Sequence, residues 1–488
     1  HELHFTLRET GTIHLLGKPR TQLGRLFGQA RALHYGTKGT QKCFSMSQLQ
    51  GPCVRNRVAE PREKVAEAQW TSKLTRQEPE SEIKGPRHRF QYIGREVRRV
   101  HRLEAEWRLN DPLTNPKSSR DLIHLYLHIP FCRDICPYCA FYKHKPGETD
   151  MGYFVDGILR EAKLRSSSIN APEIDTVYLG GGTPSMLSPN LIHKLFDGLG
   201  DIFRFAPDTE INLEANPATF GKSAAKTFAQ SGVTRVSLGA QSFSPEVLKT
   251  LGRTHGPRGI ARSVDLLRAA GIENVSIDLM FSIPGQTLDQ WRESLESALE
   301  LSPNHISAYN LTYEEDTPFF TRFREGLYTD IEETNASMYE LAHELLTSHG
   351  LRHYETSNYA YPGYESRHNK GYWRGGDYLG LGPSAVSTIS GRRWKNIPDT
   401  AEYLVQIGKG GSTESEVETL TPAQLDLERI ALMLRTDAGV HRRHLSEVPP
   451  TRIEAIVSER LADWKGEHLV LQGQGTMLVD SIVGHLVS

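Results

Sequence analysis

Three cysteines stand close together in Cys132-Arg-Asp-Ile-Cys136-Pro-Tyr-Cys139. Thiolates at this spacing can wrap one [4Fe–4S] cube and ligate three of its irons. The fourth iron has no local cysteine, because the residue two places on is Phe141. It keeps an open coordination position, which is what chemistry at a metal needs. Zinc is the rival occupant. A structural zinc takes four ligands, and His144 is near enough in sequence to be the fourth. Three unrelated thiols are the bland alternative. Cys43 and Cys53 have no ligand pattern around them and read as free thiols. Five cysteines in 488 residues exclude a disulfide scaffold.

Further polar candidates follow. Gly180-Gly181-Gly182-Thr183-Pro184 lets the backbone approach a ligand closely, although a glycine triplet alone is usually a turn. Glu214, in Asn212-Leu-Glu-Ala-Asn216-Pro217, can accept two hydrogen bonds from a ribose diol, or simply sit at a solvent-facing rim. Gln241, Arg253 and Asp278 form another set. On inward strand positions they must be satisfied, by a ligand, a substrate carboxylate or an Arg–Asp pair. His368-Asn369-Lys-Gly-Tyr372-Trp373 joins an imidazole to aromatic rings. A neutral imidazole is a good axial ligand for heme iron, and the rings can pack on a porphyrin face. The alternative is a satisfied histidine in an aromatic core. Tyr126 and His128, just before the cysteines, read as ligand contacts or packing.

These residues need a scaffold, and the pattern from residue 121 onward supplies one. Six short β-rich runs, over 122–128, 176–179, 210–215, 234–238, 274–280 and 305–311, alternate mostly with helical patterns. Ile260, Val264 and Leu267 make one apolar stripe, ended by Gly271. Thr287-x-x-Gln290 opens another helix as a capping box, with Leu288, Trp291, Leu295 and Leu299 on one face. Strand–helix alternation predicts a parallel sheet with right-handed crossovers, a partial or closed barrel as readily as an open sheet. A Tyr/Gly-rich segment follows, and Gly408-Lys-Gly-Gly-Ser412 reads as a flexible linker. Beyond it we expect a helix capped by Thr421 with Pro422 at N1, a second helix over 451–464, and a hairpin of 468–471 with 477–479. That set suggests a small winged-helix-like α+β module. The division is therefore 1–120, 121–350, 351–414 and 415–488.

Composition bounds the rest. The chain is 38% hydrophobic and 24% charged, a globular balance. No run of about 18 apolar residues points to a membrane span, and no apolar signal core opens the chain. The cytoplasm is the expected compartment. The net charge of −2 hides an asymmetry: residues 1–120 hold 23 Lys/Arg against 12 Asp/Glu, and residues 121–488 hold 34 against 47. The first part reads as a basic, poorly structured extension, with a possible helix over 91–109 and a mild likeness to a transit peptide. Nucleic-acid binding is excluded for the tail, where 7 Lys/Arg face 11 Asp/Glu over 415–488.

Tyr126-Leu-His-Ile-Pro-Phe-Cys132…Cys136-Pro-Tyr-Cys139-Ala-Phe resembles the radical S-adenosylmethionine (SAM) superfamily. Within it the chain is similar to the oxygen-independent coproporphyrinogen III oxidases and to the HemW heme chaperones. The resemblance runs from about residue 122 to the C-terminus. It implies a partial (β/α)6 barrel with a [4Fe–4S] cluster held by Cys132, Cys136 and Cys139. SAM would chelate the open iron and, on one-electron reduction, yield a 5′-deoxyadenosyl radical. It further implies SAM contacts from Tyr126, Gly181, Gly182, Thr183 and Glu214. Gln241, Arg253 and Asp278 match residues that contact a second SAM in the oxidases. Ser282 departs from the glycine usual in Ser282-Ile-Pro-Gly-Gln-Thr287. Two further departures favour the chaperones over the oxidases: Cys139-Ala140-Phe141 in place of Cys-x-Cys, and an N-terminal segment unlike the oxidase arm. The His368 hexapeptide matches the chaperone pattern His-Asn-x-x-Tyr-Trp. The resemblance thus implies heme as ligand, a heme-acceptor protein, and a reductant such as flavodoxin or ferredoxin. The alternative is an enzyme that decarboxylates coproporphyrinogen III.

The charge split and missing periodicity of residues 1–120 carry a test. A chain beginning near Ser118 should fold, keep its melting temperature within a few degrees, and bind cluster and SAM. Loss of soluble protein on truncation would show that the basic segment packs on the barrel.

Overall fold

A computed structural model of the chain describes residues 122–147, 149–169, 173–217 and 219–488. The basic segment 1–120, with Cys43, Cys53 and the helix expected over 91–109, lies outside them. The six expected strands are all formed: β1 (Leu122–Ile129), β2 (Glu173–Gly181), β3 (Arg204–Ala215), β4 (Arg235–Gln241), β5 (Asn274–Phe281) and β6 (His305–Asn310). They pair in chain order and all run parallel. The crossovers carry α1 (Met151–Ser168), α2 (Pro189–Ile202), α3 (Lys222–Gln230), α4 (Pro245–Thr250), α5 (Pro257–Ala269) and α6 (Leu288–Glu300).

Side-chain alternation along the strands decides which face is which. Leu125, Leu127 and Ile129 of β1, Val177 and Leu179 of β2, and Ile211 and Leu213 of β3 join one apolar core with the helices. Their alternates are His124, Tyr126 and His128, then Thr176 and Tyr178, then Glu210, Asn212 and Glu214. In register these stand side by side, with His124 beside Thr176, Tyr126 beside Tyr178, and Tyr178 beside Asn212. The apolar core therefore lies between sheet and helices, and the concave face of the sheet is polar.

Past β6 come α7 (Pro318–Arg324), α8 (Glu332–Ser348), β7 (Arg352–Glu355), β8 (Asn358–Ala360), α9 (Arg367–Trp373), β9 (Tyr378–Leu381), β10 (Val386–Ile389), β11 (Arg392–Asn396), α10 (Thr400–Gly408) and β12 (Glu414–Thr419). These strands extend the sheet at both edges, in the order β12-β11-β10-β9-β1-β2-β3-β4-β5-β6-β8-β7. β9 runs parallel to β1, and β8 antiparallel to β6. The end strands β12 and β7 do not pair, so the barrel is partial.

The glycine-rich segment 408–412, expected as a linker, is a tight turn. Gly411 N donates to Gln406 O at 2.9 Å. β12, which follows it, pairs antiparallel with β11 in the large sheet. The C-terminal part then holds α11 (Pro422–Met433), β13 (Val440–His441), α12 (Pro450–Ser458), β14 (Ala462–Lys465), β15 (His468–Leu471) and α13 (Val479–Val487). α11 starts at the expected Thr421–Gln424 capping box. The next expectations need correction. The helix read over 451–464 stops at Ser458, and Trp464 lies in β14. β15 pairs antiparallel with β14, across the turn at Gly466, and with β13 on its other side, and not with 477–479, where α13 begins. An apolar run after a glycine turn fits strand and helix equally well by periodicity, and cross-strand pairing decided the case.

The α6 capping box is formed as read, and Trp291 and Leu295 are fully buried. Leu288 is 41% exposed, because it occupies the first helical position and faces outward. Trp291 Nε1 donates to Met338 O of α8 at 2.9 Å, so one side chain ties two helices behind β5 and β6. Replacing Trp291 by Ala should cost about 3–5 kcal/mol through the cavity left behind. Denaturant titration of the variant checks this, and a loss below about 1 kcal/mol would mean that the α6–α8 contact repacks freely.

Candidate cofactor site in the barrel

The cysteine loop leaves the C-terminal end of β1 and returns beside it. Cys132 N donates to His144 O at 3.0 Å, and His144 N to Pro130 O at 2.9 Å. Phe131 anchors the loop base, buried against Phe154 of α1 with ring centroids 4.9 Å apart. Cys132, Cys136 and Cys139 are half-buried free thiols. Burial pushes the Cys132 and Cys139 thiols up, and the Thr183 hydroxyl and the Lys143 ammonium, respectively, partly offset it. A metal centre must therefore displace protons to bind. The zinc alternative fails at His144. Its Nδ1 is 2.7 Å from Lys145 O and its Nε2 is 2.8 Å from Thr400 Oγ1, so both ring nitrogens are engaged away from the thiols.

Two other segments brace this loop. Pro137 O accepts from Phe319 N of α7 at 3.1 Å. The Arg253 guanidinium donates to Tyr138 Oη at 2.7 and 3.1 Å. The Arg–Asp pair considered for Arg253 and Asp278 is not formed. Asp278 instead accepts from the hydroxyls of Ser237, Ser276 and Ser307, at 2.7–3.2 Å. Asp278 is thus satisfied within the barrel, and Arg253 belongs to the cysteine loop.

The glycine triplet packs against the same strand end. Gly182 N donates to Ile129 O and Thr183 N to Phe131 O, each at 2.8 Å. A Cβ on Gly182 would lie 2.7 Å from Ile129 O, and one on Gly181 would lie 2.5 Å from the His128 ring. Glycine is required here for contact with β1 and the start of the cysteine loop. The Thr183 hydroxyl reaches Cys132 Sγ at 3.6 Å, which joins glycine loop to thiol loop. His128 is the keystone behind them. Its Nδ1 is 3.0 Å from Tyr126 Oη and its Nε2 is 2.7 Å from Tyr142 O.

Glu214 is not a solvent-facing rim acid. It points into the barrel, and Tyr178 Oη donates to its Oε1 at 2.7 Å. Burial pushes the Glu214 carboxyl up. Gln241 ends β4 with φ +66, a left-handed backbone uncommon outside glycine, and its Oε1 is buried without a partner. Such strain clusters at functional sites. Ser282 adopts φ +62, which explains the glycine usual at that position.

His368, on α9, closes the other end of this polar face. Glu210 carboxylate oxygens accept the backbone N–H groups of Arg367 and His368, each at 3.1 Å. The His368 ring stacks on Tyr178 at 4.9 Å and meets Tyr372 edge-on at 4.9 Å. Its Nδ1 is 2.7 Å from Thr176 Oγ1, and its Nε2 is buried without a hydrogen-bond partner. Burial holds the imidazole well below its usual pKa, so it is neutral. Trp373, from the same motif, donates to the buried Glu355 carboxylate.

Tyr126, Phe141, Tyr178, Gly181, Glu214 and His368 line one cavity of about 890 Å³, whose lining also includes Leu425 and Arg429 of the C-terminal part. That lies within the range of about 300–1,000 Å³ usual for ligand sites. Sequence reading missed Thr176, Tyr178, Asn212 and Glu355. The first three were legible as the polar alternates of Val177, Leu179 and Leu213. Both amide atoms of Asn212 are buried and unpaired, as are Oδ1 of Asn310 and of Asn358. Buried polar atoms are nearly always paired, so this set fits a polar ligand within the barrel. Three free thiols beside it fit an iron–sulfur cluster, and the unpaired Nε2 of His368 fits an iron ligand.

Two substitutions test the geometry. Changing Cys132, Cys136 or Cys139 to Ala should remove most of the about four irons per chain taken up on anaerobic reconstitution. Gly182→Ala should lower it as well, by displacing the loop base. Full iron content in the cysteine variants, read by metal analysis, would place the cluster elsewhere.

Comparison with known proteins shows the family. Residues 126–298 match the family model described as the radical SAM superfamily. A radical SAM domain carries a [4Fe–4S] cluster and SAM. The chain is 32% identical to the heme chaperone HemW of Bacillus subtilis, over 74% of this chain and 97% of that protein. It is 40% identical to HemW of Escherichia coli, over 55% of this chain and 70% of that one. A mouse protein, radical S-adenosyl methionine domain-containing protein 1, mitochondrial, is 32% identical over 69% of this chain and 78% of its own length. Among solved structures, coproporphyrinogen III oxidase (HemN) from E. coli superposes with TM-score 0.67 at 21% identity, covering 76% of this chain and 90% of that one. That likeness shows the fold. HemW of Mycobacterium tuberculosis is 36% identical over 74% of this chain and 94% of its own length, and on that ground the chain belongs to the HemW-like family of radical SAM proteins.

Proposed function

We propose that this protein binds heme in the barrel cavity and passes it to an acceptor protein, with a [4Fe–4S] cluster and SAM as resident cofactors. The observation that carries the reading is the buried, neutral His368 with Nε2 unpaired in a cavity of ligand size. A neutral imidazole nitrogen with no competing partner is what an axial iron ligand must be. Tyr372 lies beside it, and its ring offers a packing surface for a porphyrin. When bound, the cluster and SAM supply one-electron chemistry that side chains lack.

The site residues divide accordingly. Cys132, Cys136 and Cys139 would hold the cluster. Gly181, Gly182 and Thr183 would set the backbone against the SAM amino group, with Tyr126 nearby. Glu214 would bind the ribose diol by exchanging its bond from Tyr178. The unpaired Gln241 serves a ligand better than Asp278, whose carboxylate the serines already fill. Arg253 acts through the cysteine loop. The electron would come from a flavodoxin or ferredoxin, in the cytoplasm. No helix among the described residues is long and apolar enough to cross a membrane. Phe141 stands where the oxidases continue Cys-x-Cys, and it lines the cavity, which supports the chaperone reading over decarboxylation.

Purified protein should bind heme about one to one. His368→Ala should weaken that binding by about tenfold or more, or shift the Soret band, since the axial ligand sets the iron's electronic state. Cluster iron should stay unchanged. Unaltered affinity and spectrum in the variant would take His368 out of the heme site.

A further inference from the structure

The Thr176 hydroxyl, fully buried on β2, lies between two imidazoles. It is 2.7 Å from His368 Nδ1 and 2.9 Å from His124 Nδ1. Among the described residues these rings are its hydrogen-bond partners. A hydroxyl has one proton and donates it once. In a buried site that proton goes to one ring nitrogen, and the other ring donates its own N–H to the oxygen.

The two directions differ at the far side of His368. If His124 donates, His368 carries its proton on Nε2, which is buried with no acceptor. If His368 donates from Nδ1, Nε2 holds only an unshared pair. Orphaned buried N–H groups are rarer than unpaired acceptors, so the second direction wins. The chain then runs from His368 Nδ1–H to Thr176 Oγ1–H to His124 Nδ1.

His124 is fixed for this part. Its backbone N donates to Asp377 O at 3.2 Å. Its ring lies so close to Gly371 that a Cβ there would fall on the imidazole. The glycine of the hexapeptide is therefore where α9 meets His124, and Glu210 fixes the backbone at His368. Ring, backbone and proton position are set by three different strands and one helix.

We propose that Thr176 and His124 are positioning residues for His368, holding its proton on Nδ1 so that Nε2 is presented as a Lewis base to heme iron. The assignment rests on the heme reading above. Partners of this kind fix the tautomer of metal-bound histidines, and their loss typically costs about 10–100-fold in metal affinity.

The test measures heme affinity and the electron paramagnetic resonance spectrum of the ferric complex, on the full chain. Thr176→Val keeps the shape and removes the hydroxyl. It should weaken heme binding by about tenfold or more and broaden or shift the ferric signal. Thr176→Ser should restore both. His124→Asn, whose amide oxygen still accepts from Thr176, should bind better than His124→Leu, and this pair serves if Thr176→Val does not fold. Wild-type affinity and signal in Thr176→Val, with binding lost in His368→Ala, would overturn the assignment and leave the heme reading standing. Wild-type behaviour in His368→Ala would remove both.

Discussion

The structure depends on the period-two alternation of six parallel strands whose inward face is polar. A parallel barrel usually fills its interior with branched apolar side chains. Here those side chains point to the helices, and His124, Tyr126, Tyr178, Glu210, Asn212, Glu214, Ser237 and Asp278 point inward. Buried polar groups impose a constraint, since each needs a partner. Some find one across the sheet, as Asp278 does among three serines. Others find none, and these map a ligand space from Gln241 to His368.

Two ends of that space are coupled through one ring. Tyr178 gives its hydroxyl to Glu214 and its face to His368. The Glu214 carboxylate and the His368 imidazole thus share a neighbour, although 154 positions of sequence separate them. The cysteine loop has further braces of its own, in Phe131, Thr183, Arg253 and α7. Rigid elements around a half-buried thiol set are what a cluster site needs if one iron position is to stay open.

Much of this was legible in the sequence. The strands announced themselves by β-branched and alternating runs, and the caps at Thr287 and Thr421 by their glutamines. The cysteine spacing carried its own chemistry. What stayed hidden was pairing between distant segments. Nothing local says that Arg253 meets Tyr138 and not Asp278, that β12 joins the large sheet, or that Trp464 sits in a strand. Nor does the glycine triplet announce that the Cβ positions of Gly181 and Gly182 are filled by β1 and the chain just after it, and that of Gly180 by Tyr178 and Glu214. Thr176 and Tyr178 carried a readable signal, since their neighbours Val177 and Leu179 are the apolar alternates, but a residue without a motif draws no attention.

Belonging to the HemW-like family leaves one chemical choice to decide, because the fold also superposes on an oxidase. Both readings use the same thiols and the same carboxylate. They differ in what happens to a porphyrin in the cavity. A carrier leaves its side chains intact, and an oxidase removes carboxylates from them. The direct measurement is release of carbon dioxide from coproporphyrinogen III by the anaerobically reconstituted protein, with SAM and a strong one-electron reductant present. The account predicts none above the protein-free control. Carbon dioxide released over many turnovers would contradict it and make this chain an enzyme of porphyrin synthesis.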